Sequence, residues 1–300
     1  IYKNQKDASS FLEKLNVMYT PSIEEHAAYT FDNGNNVAFY TNTTTDVALS
    51  TKFRTTVSYF YRTTENTVTG NKANSHVVLA GFQYKLLPKT TLKTVLGLNN
   101  SRFMTEAYTQ PVLDAQLQLQ PLKLQNLNLG YQREVQNFNA DLIEREIVQN
   151  HYGLNYNLGT NFNLGWYTQV MHTQQSDANT RNLLFTSLYY SLSQKPAFKM
   201  GLNYQYITFK DQVPTIYFSP EAYQAVEVFT DVRGQFSEKT SYNASAATGY
   251  QQVENDPNTL IFRAEAVFRY QFSKRLSTNL YGKYSNIASA TAAGVEFTEL

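Results

Sequence analysis

The fold class the sequence predicts is all-β: a transmembrane, antiparallel, up-and-down β-barrel of about sixteen strands, preceded by a short helix. Three observations predict it. Short turns carrying Lys or Pro recur every 33–43 residues, at Lys52, Pro88-Lys89, Pro121-Leu122-Lys123, Thr160-Asn161, Lys195-Pro196, Lys239 and Lys274-Arg275. Between successive turns lie two stretches of alternating apolar and polar residues, separated by a polar, Asn- and Thr-rich connection. Aromatic residues make up 14% of the chain, with 23 Tyr against one Trp, and a ring with a wet hydroxyl suits membrane interfaces and sugar-lined cavities. Each beat is one strand, one longer loop and one returning strand. Seven turns plus a first and a last strand then give an even total, as a bacterial barrel requires.

The elements follow in order. Residues Asn4 to Leu15 are predicted as a short helix, with Asp7 or Ser9 as its cap and Phe11, Leu12 and Leu15 on one side. Pro21 closes it. Residues 1–21 are expected to be a linker or the last helix of a preceding domain, with a plug helix as the alternative. Residues 22–300 are expected to form the barrel. Its alternation is cleanest where Leu113, Ala115, Leu117 and Leu119 share one face and Asp114, Gln116, Gln118 and Gln120 the other. The same split recurs with Leu127, Leu129 and Tyr131, then Tyr152, Leu154, Tyr156 and Leu158, then Met200, Leu202, Tyr204 and Tyr206. It ends with Phe262, Ala264, Ala266, Phe268, Tyr270 and Phe272 set against Arg263, Glu265, Arg269 and Gln271. The short turns belong on the periplasmic side with both termini. The outer connections are expected at Asp32–Asn36, Thr64–Ser75, Gln136–Asp141, Gln174–Thr180, Lys210–Ala222, Glu254–Asn258 and Ala288–Ala292, leaving the mouth open unless Lys210–Ala222 folds inward. A soluble sandwich would also alternate, but aromatics near the ends of the apolar faces and the unbroken two-strand beat favour the barrel.

Composition bounds the function. No apolar run is long enough for a membrane helix, and the mean hydropathy of −0.43 matches a barrel, in which only alternate residues meet lipid. Charged residues are 16% of the chain and the net charge is +1, which argues against nucleic acid as a partner. Cysteine is absent, compatible with a closed barrel whose strands are all paired. Beginning at Ile1 without a leader, the chain is expected to be a mature product or a fragment.

No catalytic constellation stands out, so an enzyme is not expected, nor any cofactor or metal. His26, His76, His151 and His172 are scattered without ligand spacing, and the motifs of hydrolases, phosphate loops and zinc proteases are missing. The inward faces carry the chemistry. Expected pore-lining residues are Lys93, Asp114, Glu134, Lys199, Glu227, Asp231, Arg233, Arg263, Glu265, Arg269 and Lys283. Glu227, Asp231 and Arg233 share one strand face. Arg263, Glu265 and Arg269 share another, two strands on and within reach of long side chains. The plainer alternative is that such charges only brace a wet wall. A filter for small ions would need one dominant sign, which this lumen lacks. Amide- and Tyr-rich walls instead suit neutral or weakly charged sugars.

The segment Ile216-Tyr217-Phe218-Ser219-Pro220-Glu221-Ala222-Tyr223 resembles the Tyr-Phe/Tyr-Ser-Pro-x-x-Tyr element of exopolysaccharide-export barrels, those of cellulose and poly-N-acetylglucosamine secretion. The resemblance implies a sixteen-stranded barrel following periplasmic tetratricopeptide repeats, of which the N-terminal helix would be a remnant. It makes Tyr217, Phe218, Ser219, Pro220 and Tyr223 a loop-to-strand element at the outer mouth. Alternatively Pro220 only fixes a turn and Tyr223 anchors an interface girdle. It further implies the outer membrane of a Gram-negative bacterium, a polysaccharide cargo, and periplasmic and inner-membrane secretion partners, with outer-membrane lipid around the barrel. A passive export conduit is therefore the expected function. The alternatives are a general diffusion porin or structural barrel, a subunit of a protein-export or surface-assembly complex, and a barrel enzyme. One departure concerns the last strand: Val295 and Phe297 alternate as a barrel terminus should, but Leu300 is off their parity.

Overall fold

The computed structural model describes residues 6–214, 216–288 and 297–299. Helix α1 (Lys6–Tyr19) precedes sixteen strands. These are β1 (Ser22–Asp32), β2 (Asn36–Ala48), β3 (Phe53–Asn66), β4 (Lys72–Leu87), β5 (Thr90–Phe103), β6 (Glu106–Leu119), β7 (Gln125–Val135) and β8 (Val148–Gly159). They continue as β9 (Leu164–Gln175), β10 (Thr180–Gln194), β11 (Ala197–Phe209), β12 (Tyr223–Ser237), β13 (Thr240–Val253), β14 (Thr259–Ser273), β15 (Leu276–Ser285) and β16 (Phe297–Glu299). A five-residue helix α2 (Ala140–Glu144) interrupts the connection between β7 and β8.

Each strand pairs antiparallel with its sequence neighbours, and β16 pairs with β1 to close the ring. Closure matters physically because no water in a hydrocarbon layer can bond a free strand edge. The register fixes which way every side chain points. On β12, Tyr223, Ala225, Glu227, Phe229, Asp231 and Arg233 face the lumen, while Val226, Val228 and Phe236 are exposed on the outer wall. Following the pairing around the ring puts every apolar face expected from alternation on the outside, from Leu113, Leu117 and Leu129 to Leu202 and Phe262. Exposed rings stand at both rims: Tyr84, Trp166, Tyr190, Phe236 and Phe272 toward the short turns, and Tyr29, Phe39, Tyr152 and Tyr250 toward the opposite loops. This is the aromatic-flanked apolar band of a membrane barrel.

All seven expected short turns separate strands at the expected places. The opposite connections differ in detail. An eighth, Met104-Thr105, is present between β5 and β6 and carries no Gly, Pro or Asn. The connection expected over Thr64–Ser75 shrinks to residues 67–71, and that expected over Gln136–Asp141 extends to residue 147. The N-terminal helix runs to Tyr19 rather than Leu15, because nothing before Pro21 breaks it, and the Thr20 hydroxyl caps it by donating to the Asn16 carbonyl (2.6 Å). Phe297 of β16 is in register with Asp32 and Ser285, whereas Val295 and Leu300 lie outside the described residues, as does most of the connection expected over Ala288–Ala292.

Candidate functional site

The lumen is the large polar interior of the described residues, and its loop-side end is narrowed by buried apolar clusters. Two connections turn inward. In the first, residues 136–147, Asn139 caps α2 by accepting from the Leu142 N–H (2.9 Å), which points the apolar residues of the short helix in two directions. Ala140 and Ile143 are buried with Ala73 of β4, against Phe103 and Tyr108. Leu142 and Ile147 join a second buried cluster with Ile207 and Phe209 of β11, Tyr223 and Ala225 of β12, and Ile261 of β14. Helix α2 itself sits against β3, β4 and β5, and through Leu142 it joins the buried cluster that reaches β11, β12 and β14 on the far side of the ring. Polar contacts fasten it: Arg62 donates to the Phe138 carbonyl (3.0 Å), and Asn71 donates to Asp141 (3.1 Å).

The second connection, residues 210–222, contains the family-like element. Tyr217 is buried in the same cluster, 6.0 Å from the Phe209 ring centroid. Its hydroxyl donates to Asp177 (2.7 Å) and accepts from Asn179 (2.8 Å). Burial first, and then donation to that carboxylate, push the phenol well above its ordinary range, so it stays a donor at neutral pH. Ser219 Oγ accepts from the Val213 N–H (2.8 Å), and the Pro220 carbonyl accepts from the Phe209 N–H (3.2 Å). Phe218 meets Tyr223 edge-on at 5.6 Å. Tyr223 is fully buried at 0% exposure, faces inward and donates to Gln251 (3.1 Å), so it anchors no outer girdle. Residues 136–147, 210–214 and 216–222 together form an apolar plug, so the inward fold of Lys210–Ala222, the expected alternative to an open mouth, is the one present.

Below the plug the expected charges face the lumen, largely engaged with one another. Arg263 Nε donates to Glu227 Oε1 (3.0 Å) across β13, where Ala247 and Gly249 leave the path clear. Glu227 also accepts from Asn203 (3.2 Å) and is only 6% exposed, so it is held within the wall. Asp231 lies between Arg233 (3.2 Å) and Lys199 (4.0 Å). Glu265 stands in register with Lys283, and Arg269 donates to Asn279 (2.8 Å). On the other side of the ring, Asp114 accepts from Gln116 (3.0 Å), and Glu134 from Gln132 (2.7 Å), Gln136 (2.8 Å) and His151 (3.2 Å). Lys93 is in register with Gln83 and Gln116. Charge pairs stand on several arcs of the lumen, Arg54 with Asp46 on β2–β3 as well as those on β11–β14. Amides such as Asn126, Asn128, Asn155 and Asn157 line β7 and β8.

A closed sixteen-strand ring with a lipid-facing apolar band outside and a wet, charged wall inside decides the class. The chain is an outer-membrane-type β-barrel. No family model matches it, and no curated protein is similar to it in sequence. Solved structures do resemble it. A protein described as "Bacterial polysaccharide outer membrane secretin" superposes with a TM-score of 0.69 at 11% identity, over 92% of this chain and 96% of that one. CdiB from Acinetobacter baumannii superposes with a TM-score of 0.52 at 10% identity, over 99% of this chain and 67% of that one. At such identities the likeness shows the fold.

Sequence reasoning missed the plug residues Phe138, Leu142, Ile143 and Ile147. The signal was available: a loop expected to face water has no reason to carry Leu142-Ile143 and Ile147-Val148. The Tyr-rich inner wall expected from the sequence includes Tyr167 and Tyr189, and the lumen also holds Phe185 and Phe229, which sequence reasoning did not name.

Proposed function

We propose that this barrel is a gated outer-membrane conduit of a Gram-negative bacterium for export of a polysaccharide. The observation that carries the reading is the lumen wall beneath the plug: amides, hydroxyls and rings interleaved with charges that are paired with one another. Such a wall offers many weak polar contacts and no strong site, as conduction of a polymer demands. The resemblance around Tyr217–Tyr223 supports the same reading. The plug modifies the expected passive pore. Each fully buried aliphatic or aromatic side chain contributes about 1.5–3 kcal/mol, so releasing Leu142, Ile147 and Tyr217 together exceeds what thermal motion supplies often. Opening therefore needs the pushing polymer or a partner, and synthesis at the inner membrane with periplasmic delivery fits that need. A general diffusion porin is the second reading, because a loop folds inward; here the fold-in lies at the strand ends of the mouth rather than at mid-barrel.

The test is single-channel current in a planar bilayer, with soluble glycan oligomers added on the turn side. Brief blockades lengthening with oligomer length are the expected outcome. Steady current indifferent to every glycan would return the barrel to the porin reading.

A further inference from the structure

We propose that Tyr189 and Tyr167, backed by Phe229 and Phe185, form a stacking subsite in the lumen for one unit of an uncharged pyranose chain. This deepens the conduit reading and rests on it. These four rings line a recess of about 320 Å³ on β9–β12. Lumen-facing aromatics usually project edge-on from a barrel wall; here glycines let them lie down. Tyr189 of β10 pairs with Gly165 of β9, and a Cβ at Gly165 would fall 2.2 Å from the Tyr189 ring. The ring crosses β9, and its hydroxyl donates to Asn157 on β8 (3.2 Å). Tyr167 leans the same way and donates to Asn155 (3.4 Å). Phe229 lies likewise on Gly201, whose Cβ would sit 2.7 Å from the ring. A ring laid along the wall turns a face to the lumen, and a pyranose offers an axial C–H face to stack on it.

The recess also selects by charge. Lys199, Asp231 and Arg263 line it, with Glu227 and Arg233 behind as partners of Arg263 and Asp231. Lys199 approaches Asp231 at 4.0 Å and lies over the Tyr189 ring, 5.3 Å from its centroid, so a sugar stacking on that face displaces the ammonium toward Asp231. Arg263 is held by Glu227. Both carboxylates at the recess are engaged, so a glucosamine cation would lose hydration there without gaining a partner. Asn157 and Ser245 at the rim supply amide and hydroxyl groups for sugar hydroxyls. The recess lies below the plug and is reached from the turn side.

The experiment is equilibrium binding to the purified, detergent-solubilised barrel, read by fluorescence anisotropy of end-labelled hexamers. The set is cellohexaose, N-acetylated chitohexaose, its de-acetylated form and hexagalacturonate. Heat-modifiable gel migration verifies folding of each variant. The uncharged hexamers are expected to bind best, with little dependence on salt. Tyr189→Leu and Tyr167→Leu should each weaken them about three- to tenfold, while Tyr189→Phe, which keeps the ring and drops the Asn157 bond, stays close to wild type. Uncharged hexamers that bind all variants alike would overturn the subsite and leave the conduit reading standing. Tightest binding by either charged hexamer overturns the uncharged class. Binding of no hexamer to the wild type overturns the subsite, and the blockade measurement then judges the conduit reading on its own.

Discussion

At the scale of single residues, two side chains expose how the wall is built. Met104 occupies the two-residue turn between β5 and β6 with φ 51°, a left-handed conformation that costs an L-residue about 1–2 kcal/mol. Met104→Gly should therefore raise stability by about 1 kcal/mol, measured as a shift in the urea midpoint of the detergent-folded barrel. That turn escaped sequence reasoning for the same reason it is strained: no Gly, Asn or Pro marks it. Glu227 gives the opposite lesson. Its inward face and its reach to Arg263 across β13 were legible from alternation and strand order, whereas the Asn203 bond depends on the β11–β12 register, which no single-strand pattern records. Glu227→Ala should cost about 2–4 kcal/mol by stranding Arg263, with Glu227→Gln losing less. Equal midpoints for wild type and Glu227→Ala would return this carboxylate to the cargo path.

At the scale of elements, the strands were the legible part. Period-two alternation is a local property, so the lipid face of β6, β7, β11 and β14 follows from the residues themselves. Leu202 illustrates it, standing 54% exposed on the outer wall of β11. Leu202→Arg should destabilise the folded barrel by about 2–4 kcal/mol near mid-membrane, and refolding titrations in lipid vesicles measure this. A neutral result would mean that β11 is shifted by one residue. Helix α2 was not legible, because five residues form no periodic pattern. Its shape comes from Asn139 as cap and from burial against two walls that are distant in sequence. The Tyr217–Tyr223 element was located by resemblance, yet its inward turn is set by Asp177 and Asn179 on another loop.

At the scale of the whole molecule, ring size and topology followed from counting turns, whereas the state of the mouth did not. Replacing Asn137–Glu146 by a short Gly-Ser linker should leave the barrel folded and raise single-channel conductance severalfold; unchanged current would mean that residues 210–222 obstruct the mouth alone. The bridging position of α2 carries a mechanical consequence. A wide single-layer cylinder is a thin hoop, soft toward flattening into an ellipse, since its strands resist bending poorly while its hydrogen bonds hold the circumference. Helix α2, seated on β3–β5, and the cluster that joins it to Tyr217, β11 and β12 act together as a spoke, pinning the diameter along one axis. When the plug leaves, the hoop loses its spoke. Lateral pressure from the surrounding bilayer can then reshape the cross-section, so the open barrel is at once wider at the mouth and more compliant around whatever passes through it.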